Sequence, residues 1–219
     1  MWSPQPRPSL IAEPKRDRDL VRLHWPVDLR PAFDALFDID DAMAAVVARA
    51  TEPALASIKL AWWREQLERL DSEAPPAEPR LQAAATELLP RGIKGAELAG
   101  LEAGWAAILQ SPPDLAAGGD RGAIVFELGA RLLGVEFTDA IGEAGRLFAT
   151  VDVVRRTGLK IAATTPLQSI PRRARPLTGL AALAARDLRH GGPPFEPEAT
   201  PGRSWALIRH RISGDINID

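Results

Sequence analysis

The sequence predicts an all-α protein of at least seven helices, and three observations predict it. Ala, Leu and Arg dominate the 219 residues, while runs rich in β-branched and aromatic residues are scarce. That composition favours helices over strands. Apolar residues recur at three- and four-residue spacing along the chain, the period of a half-buried helix. Pro and Gly, 20 and 17 in number, fall largely in clusters that separate those stretches. No alternating strand pattern, fixed-period repeat or long heptad array competes with this reading.

The elements follow in order. Residues 1–15 hold Pro4, Pro6, Pro8 and Pro14 and are expected to be irregular. A first helix is expected over Arg16 to His24, stopped ahead of Pro26. Asp28 is a candidate cap for a second helix from Leu29 to Ala50, whose first turn tolerates Pro31. Its Phe33, Leu36, Phe37, Met43, Val46 and Val47 lie largely on one face. Thr51 is a candidate cap for the third helix, and Pro53 suits its early position. Leu55, Ile58, Trp62, Leu67 and Leu70 form its expected inward stripe, with Lys59, Arg64, Glu65 and Glu68 outward. On that register Trp62 is core. Trp63, about 100° further round the helix, is half-exposed.

After the loop DSEAPPAEPR, helices are expected at about 78–90, 95–110, 120–134, 138–158, 176–190 and 201–213. Gly92, Ser111-Pro112-Pro113, Gly118-Gly119, Gly134, Pro166, Pro171 and GGPPFEPE separate them. The expectation is one helical domain over 16–213, followed by a short tail at 214–219.

Composition also limits function. With no Cys there is no disulfide, thiolate nucleophile or Cys-based metal site. A net charge of −2 gives no nucleic-acid signature. No apolar run reaches the ~18 residues of a membrane span, and the N-terminus lacks the apolar core of a secretory signal. A cytoplasmic location is expected, peripheral to a membrane at most. The charge is uneven: Pro171 to Arg211 holds Arg172, Arg173, Arg175, Arg186, Arg189, Arg203, Arg209 and Arg211 against Asp187, Glu196 and Glu198. Either a lipid headgroup surface or a protein partner could use that excess; an ordinary solvated face is the plainer reading. Arg172, Arg173 and Arg175 are expected in an exposed, Pro-flanked loop. His24, His190 and His210 show no paired spacing. The last two fit helix C-termini, where a cation is favoured. Triad, phosphate-loop and dinucleotide patterns are absent.

Leu29 to Leu70 is the most distinctive stretch, above all Glu52-Pro53, Ile58-Lys59-Leu60 and Trp62-Trp63-Arg64-Glu65. These residues resemble the early helices of the squalene/phytoene synthase family. The likeness is nearest to a divergent branch that includes a mitochondrial respiratory complex I assembly factor. Weaker similarity runs through most of 16–213. The resemblance implies an isoprenoid synthase-like helical fold. It implies a cavity whose wall would include Phe37, Trp62 and Leu147. In active members of that family, two Asp-rich motifs on facing helices hold Mg²⁺, which binds the diphosphates of two prenyl diphosphates. Hard carboxylate oxygens suit Mg²⁺, and the metal neutralises the leaving group.

The chain departs from that pattern at both motifs. The first Asp pair would fall at Ala44, Ala45 and Ala48. Asp34, Asp38, Asp40 and Asp41 stand one to two turns earlier, and Asp34 and Asp38 keep the DxxxD spacing of one helical face. The second motif aligns with Gly145 to Arg156. Gly145 and Arg155 match, but Ala149, Asp152 and Arg156 replace the expected Gln, Asn and Asp. The stretch between about 156 and 175 is shortened. The expectation is therefore a family-like protein without head-to-head condensation and with no catalytic residue or metal assigned. It would bind an isoprenoid or lipid in its cavity, or serve as an accessory, assembly-type protein. The alternative is a Mg²⁺-dependent prenyltransferase using Asp34, Asp38 and Asp41.

Overall fold

The computed structural model describes residues 16–159 and 170–216. The expected irregular segment 1–15, the end of the tail and much of the shortened stretch lie outside the described residues. Within them are ten α-helices and no strand. They are α1 (Asp17–Arg22), α2 (Arg30–Ala48), α3 (Pro53–Arg69), α4 (Pro79–Glu87), α5 (Gly95–Ala99), α6 (Leu101–Ile108), α7 (Leu115–Leu132), α8 (Asp139–Thr157), α9 (Arg175–Arg189) and α10 (Pro201–Ser213). The all-α class expected from the sequence is what the molecule adopts.

Several boundaries differ from expectation, each for a local reason. Asp28 does not cap α2: residues Val27–Leu29 form a 3₁₀ turn leading directly into the helix. Thr51 does not cap α3, which starts after Glu52 with no side-chain cap. The helix expected at 95–110 divides at Gly100 into α5 and α6. Gly118 and Gly119 do not break a helix but lie inside α7. Asp114 starts that helix by accepting from the backbone N–H groups of Ala116 and Ala117, both at 3.0 Å. The tail is not loose at its start, since Ile216 is buried and the Gly214 carbonyl accepts from Ile170 N–H.

The third helix shows the largest change. Its buried residues are Ala56, Leu60, Trp63 and Leu67, with Leu70 just beyond. Leu55, Ile58 and Trp62 face outward, Trp62 at 42% exposure. Trp62 and Trp63 thus exchange the places expected for them. Both stripes have helical spacing. The expected stripe joins two faces: the register of Leu55, Ile58 and Trp62 runs on into exposed Glu65 and Arg69, whereas Leu67 and Leu70 continue that of Ala56, Leu60 and Trp63, which packs against α5 and α6.

Helix α2 is the central element, contacting α1, α3, α4, α6 and α7. An aromatic series runs from it to α8 and on to α7: Trp25 to Phe33 at 4.9 Å, Phe33 to Phe37 at 4.6 Å, Phe37 to Phe148 at 6.1 Å and Phe148 to Phe126 at 5.7 Å between centroids. Each such pair adds about 0.5–1.5 kcal/mol beyond burial. The most extensive helix pair is α7 with α8. There the backbones touch: a Cβ on Gly122 would run into the Gly145 carbonyl, and one on Gly145 into that of Gly122. This approach sets the depth from which α7 presents its one buried arginine.

Candidate functional site

Arg121 follows two glycines of α7 and is 1% exposed. Its guanidinium lies over the Trp105 ring at 3.9 Å. It pairs closely with the buried carboxylate of Asp40 and donates to Asp152 at 3.2 Å and to the Ala149 carbonyl at 3.4 Å. Trp105 Nε1–H donates to the other Asp40 oxygen at 2.9 Å. Burial pushes the Asp40 carboxyl up from the usual aspartate range, against the pull of Arg121. Arg121 Nε is buried with no partner among the described residues.

A second arginine closes the gap between the helices. Arg156 Nε donates to Asp152 at 2.8 Å, and its Nη2 donates to Asp41 at 2.8 Å. One guanidinium therefore bridges a carboxylate of α2 and a carboxylate of α8. Burial works against its charge, but Asp152 and Asp41 outweigh burial and hold Arg156 above its ordinary pKa. Arg18 joins from α1, reaching Asp41 at 2.7 Å and Asp38 at 2.6 Å, and Arg16 reaches Asp41 at 3.2 Å. Arg22 pairs with Asp34 at 2.7 Å.

Beside this network opens a cavity of about 80 Å³, lined by Phe37, Asp41, Phe148, Asp152, Arg156 and residues of α9. Its far wall is a second ionic cluster. Arg155 donates two bonds to Asp187, at 2.9 and 2.7 Å. Arg203 of α10 binds the same carboxylate and also Asp17 of α1, the latter at 2.8 and 2.9 Å. Burial again opposes the charge on Arg203, and the hydrogen bonds from it to Asp17 and Asp187 raise its pKa regardless.

The sequence-expected residues are dispersed. Phe37 lines the cavity. Trp62 does not: it stands on the outer face of α3, because the opposite stripe of that helix is the one packed inward. Leu147 is buried in the core, and its neighbour Phe148 reaches the cavity instead. Asp34, Asp38 and Asp41 do not converge on a shared point: Asp38 and Asp41 share Arg18, while Asp34 is drawn away to Arg22. Among the described residues no three His, Asp or Glu side chains form a metal-ligand group. Ala44, at the expected first-motif position, is buried in the core, and Ala48 is exposed.

A divalent cation fits this donor set poorly. The oxygens of Asp40, Asp41 and Asp152 that face one another already accept from Arg121 and Arg156, and a metal there would lie against fixed positive charge. Asp40 was legible only as one of four neighbouring aspartates. Arg121 and Asp187 were not legible as site residues. The clue to Arg121 is its place within GGDRG: small residues on a helix mark a close neighbour, and an arginine among them is carried inside.

Two residues of the C-terminal region, Arg175 and His210, also differ from expectation. Arg175 is not in a loop. It opens α9 and donates to the carbonyls of Arg211 and Ile212 at the end of α10. His210 is buried. Its Nδ1 lies 3.1 Å from the Asp215 carbonyl and its Nε2 lies 2.9 Å from Thr178 Oγ1. A carbonyl can only accept, so Nδ1 carries the proton and neutral Nε2 accepts from the threonine. Burial lowers the His210 pKa, so the imidazole is not a helix-end cation.

No family model, curated protein or solved structure matches this chain.

Proposed function

We propose that this chain is a squalene/phytoene synthase-like helical protein that has given up head-to-head prenyl condensation and acts as an accessory protein through its surface. The observation that carries the reading is Arg156 bridging Asp41 and Asp152. In the resemblance, the helices bearing those residues are the ones whose carboxylates hold Mg²⁺ and diphosphate. Here a guanidinium supplies the positive charge permanently, as an internal counter-ion. Diphosphate ionisation needs a cation that meets the leaving group, and Arg156 and Arg121 already have both hands on carboxylates.

Cavity size argues against ligand storage beside this network; a larger cavity of about 310 Å³, lined by Val46, Leu55, Trp63 and Arg80, lies away from it between α2, α3 and α4. Small-molecule sites occupy about 300–1,000 Å³. The cavity of about 80 Å³ beside the network has room for a few waters at ~30 Å³ each, not for a farnesyl chain. The test uses purified protein, Mg²⁺ and farnesyl or geranylgeranyl diphosphate, with diphosphate release and extractable product as readouts. No turnover is expected. Release that disappears in Asp41→Asn would instead establish the prenyltransferase alternative.

A further inference from the structure

We infer that the outer face of α10 docks on an anionic lipid surface. The helix carries two stripes at helical spacing. Arg203, Ala206, Leu207 and His210 face the body and are buried. Trp205, Ile208 and Ile212 face away, at 68%, 43% and 75% exposure. At 100° per residue these three fall within an arc of about 60°. Single exposed apolar residues are ordinary, but an indole and two isoleucines in one stripe form a patch that contributes nothing to the core.

Charge identifies the occupant. Arg209 and Arg211 are exposed on the same helix. Arg211 donates to the Arg172 carbonyl at 3.2 Å, which brings the exposed Arg172 and Arg173 to the same end. Among the described residues no carboxylate lies within ion-pairing distance of these four, whereas Arg186 is paired with Glu196 at 2.9 Å and Arg203 with Asp17 at 2.5 Å. Between Pro201 and Ile216 the sequence holds one acidic residue, Asp215. An aromatic and aliphatic stripe bordered by arginines and nearly free of acid is the pattern of a helix lying in a headgroup plane. The apolar side chains enter the acyl boundary and the guanidinium groups meet phosphates. No described helix is long and apolar enough to cross a membrane, so this contact is peripheral. The inference rests on α10 and its border alone and holds whether or not the interior is catalytic.

Co-sedimentation of the full chain with vesicles tests it. Binding is expected to phosphatidylcholine vesicles containing phosphatidylglycerol, to fall with added salt, and to be at least tenfold weaker on phosphatidylcholine alone. Arg172→Glu with Arg173→Glu, outside the helix, should weaken binding by about fivefold or more for each charge lost. Ile212→Ser should weaken it on the order of tenfold with an unchanged melting temperature. No binding to the anionic vesicles, or equal binding by these variants, overturns the inference. So does a wild-type dimer that Ile212→Ser converts to monomer while vesicle binding persists, because the stripe would then belong to a second copy.

Discussion

Two sets of arginines in this protein meet opposite fates. Arg121 and Arg203 are buried in the helical body, Arg155 and Arg156 stand at its edge, and each is held by one or more carboxylates. Arg172, Arg173, Arg209 and Arg211 border the outer face of α10 and meet no carboxylate among the described residues. The difference separates two uses of one side chain. In the first set, guanidinium charge is matched by carboxylates on neighbouring helices and fixes helix against helix. Outside, the charge is unspent and stands beside exposed apolar surface.

The largest expected effect is on the inner set. Arg121→Met leaves Asp40 buried with only the Trp105 N–H, and breaking one side of such a pair costs about 3–5 kcal/mol. Urea unfolding would measure it. Asp40→Leu in the same chain should restore most of that stability, because the pair as a whole is worth far less than either half alone. A loss under ~1 kcal/mol for Arg121→Met would mean that the network is solvated. Gly122→Ala comes next. Its methyl group forces α7 from α8 and withdraws Arg121 from Asp152, at a cost of about 1–3 kcal/mol in the same assay.

A smaller and pH-dependent effect belongs to His210. Its folded pKa lies below 6.5, the ordinary value, because burial disfavours the imidazolium. The unfolded chain therefore takes up the proton first. Stability from this group is present above pH 6.5 and is lost as pH falls through the folded value. His24 is shifted the same way by burial and by Arg211, so His210→Gln should remove part of the slope of unfolding free energy against pH. An unchanged slope would place the acid sensitivity elsewhere. The smallest effect sharpens the contrast: Arg209→Ala should change stability by no more than about 0.5 kcal/mol, since that side chain supports nothing inside.

The helices were largely legible because breakers and apolar spacing are local signals. Ends near Pro201 and Gly158 follow directly from residues that start and stop helices. What was not legible depended on neighbours. On α3, two stripes share the helical period, and the larger residues Leu55, Ile58 and Trp62 drew attention to the wrong one. The smaller Ala56 marked the closely packed side. Gly118 and Gly119 read as a break, although α6 and α8 press on them within an unbroken helix. In the centre, the departures at Ala149 and Arg156 were visible as substitutions. That Arg156 would bridge Asp41 and Asp152 required two helices to be brought together, and no spacing within either one contains that fact. Asp187, unremarkable in its own segment, becomes the hub of Arg155 and Arg203 for the same reason.

On the proposed reading, guanidinium groups occupy the place between α2 and α8 that a metal and diphosphate would take in the family the chain resembles. Diphosphate release from farnesyl or geranylgeranyl diphosphate in the presence of Mg²⁺ measures it most directly. The arrangement of Arg121 and Arg156 predicts release indistinguishable from a protein-free control. Release well above that control, abolished by Asp41→Asn or Asp152→Asn, would contradict it.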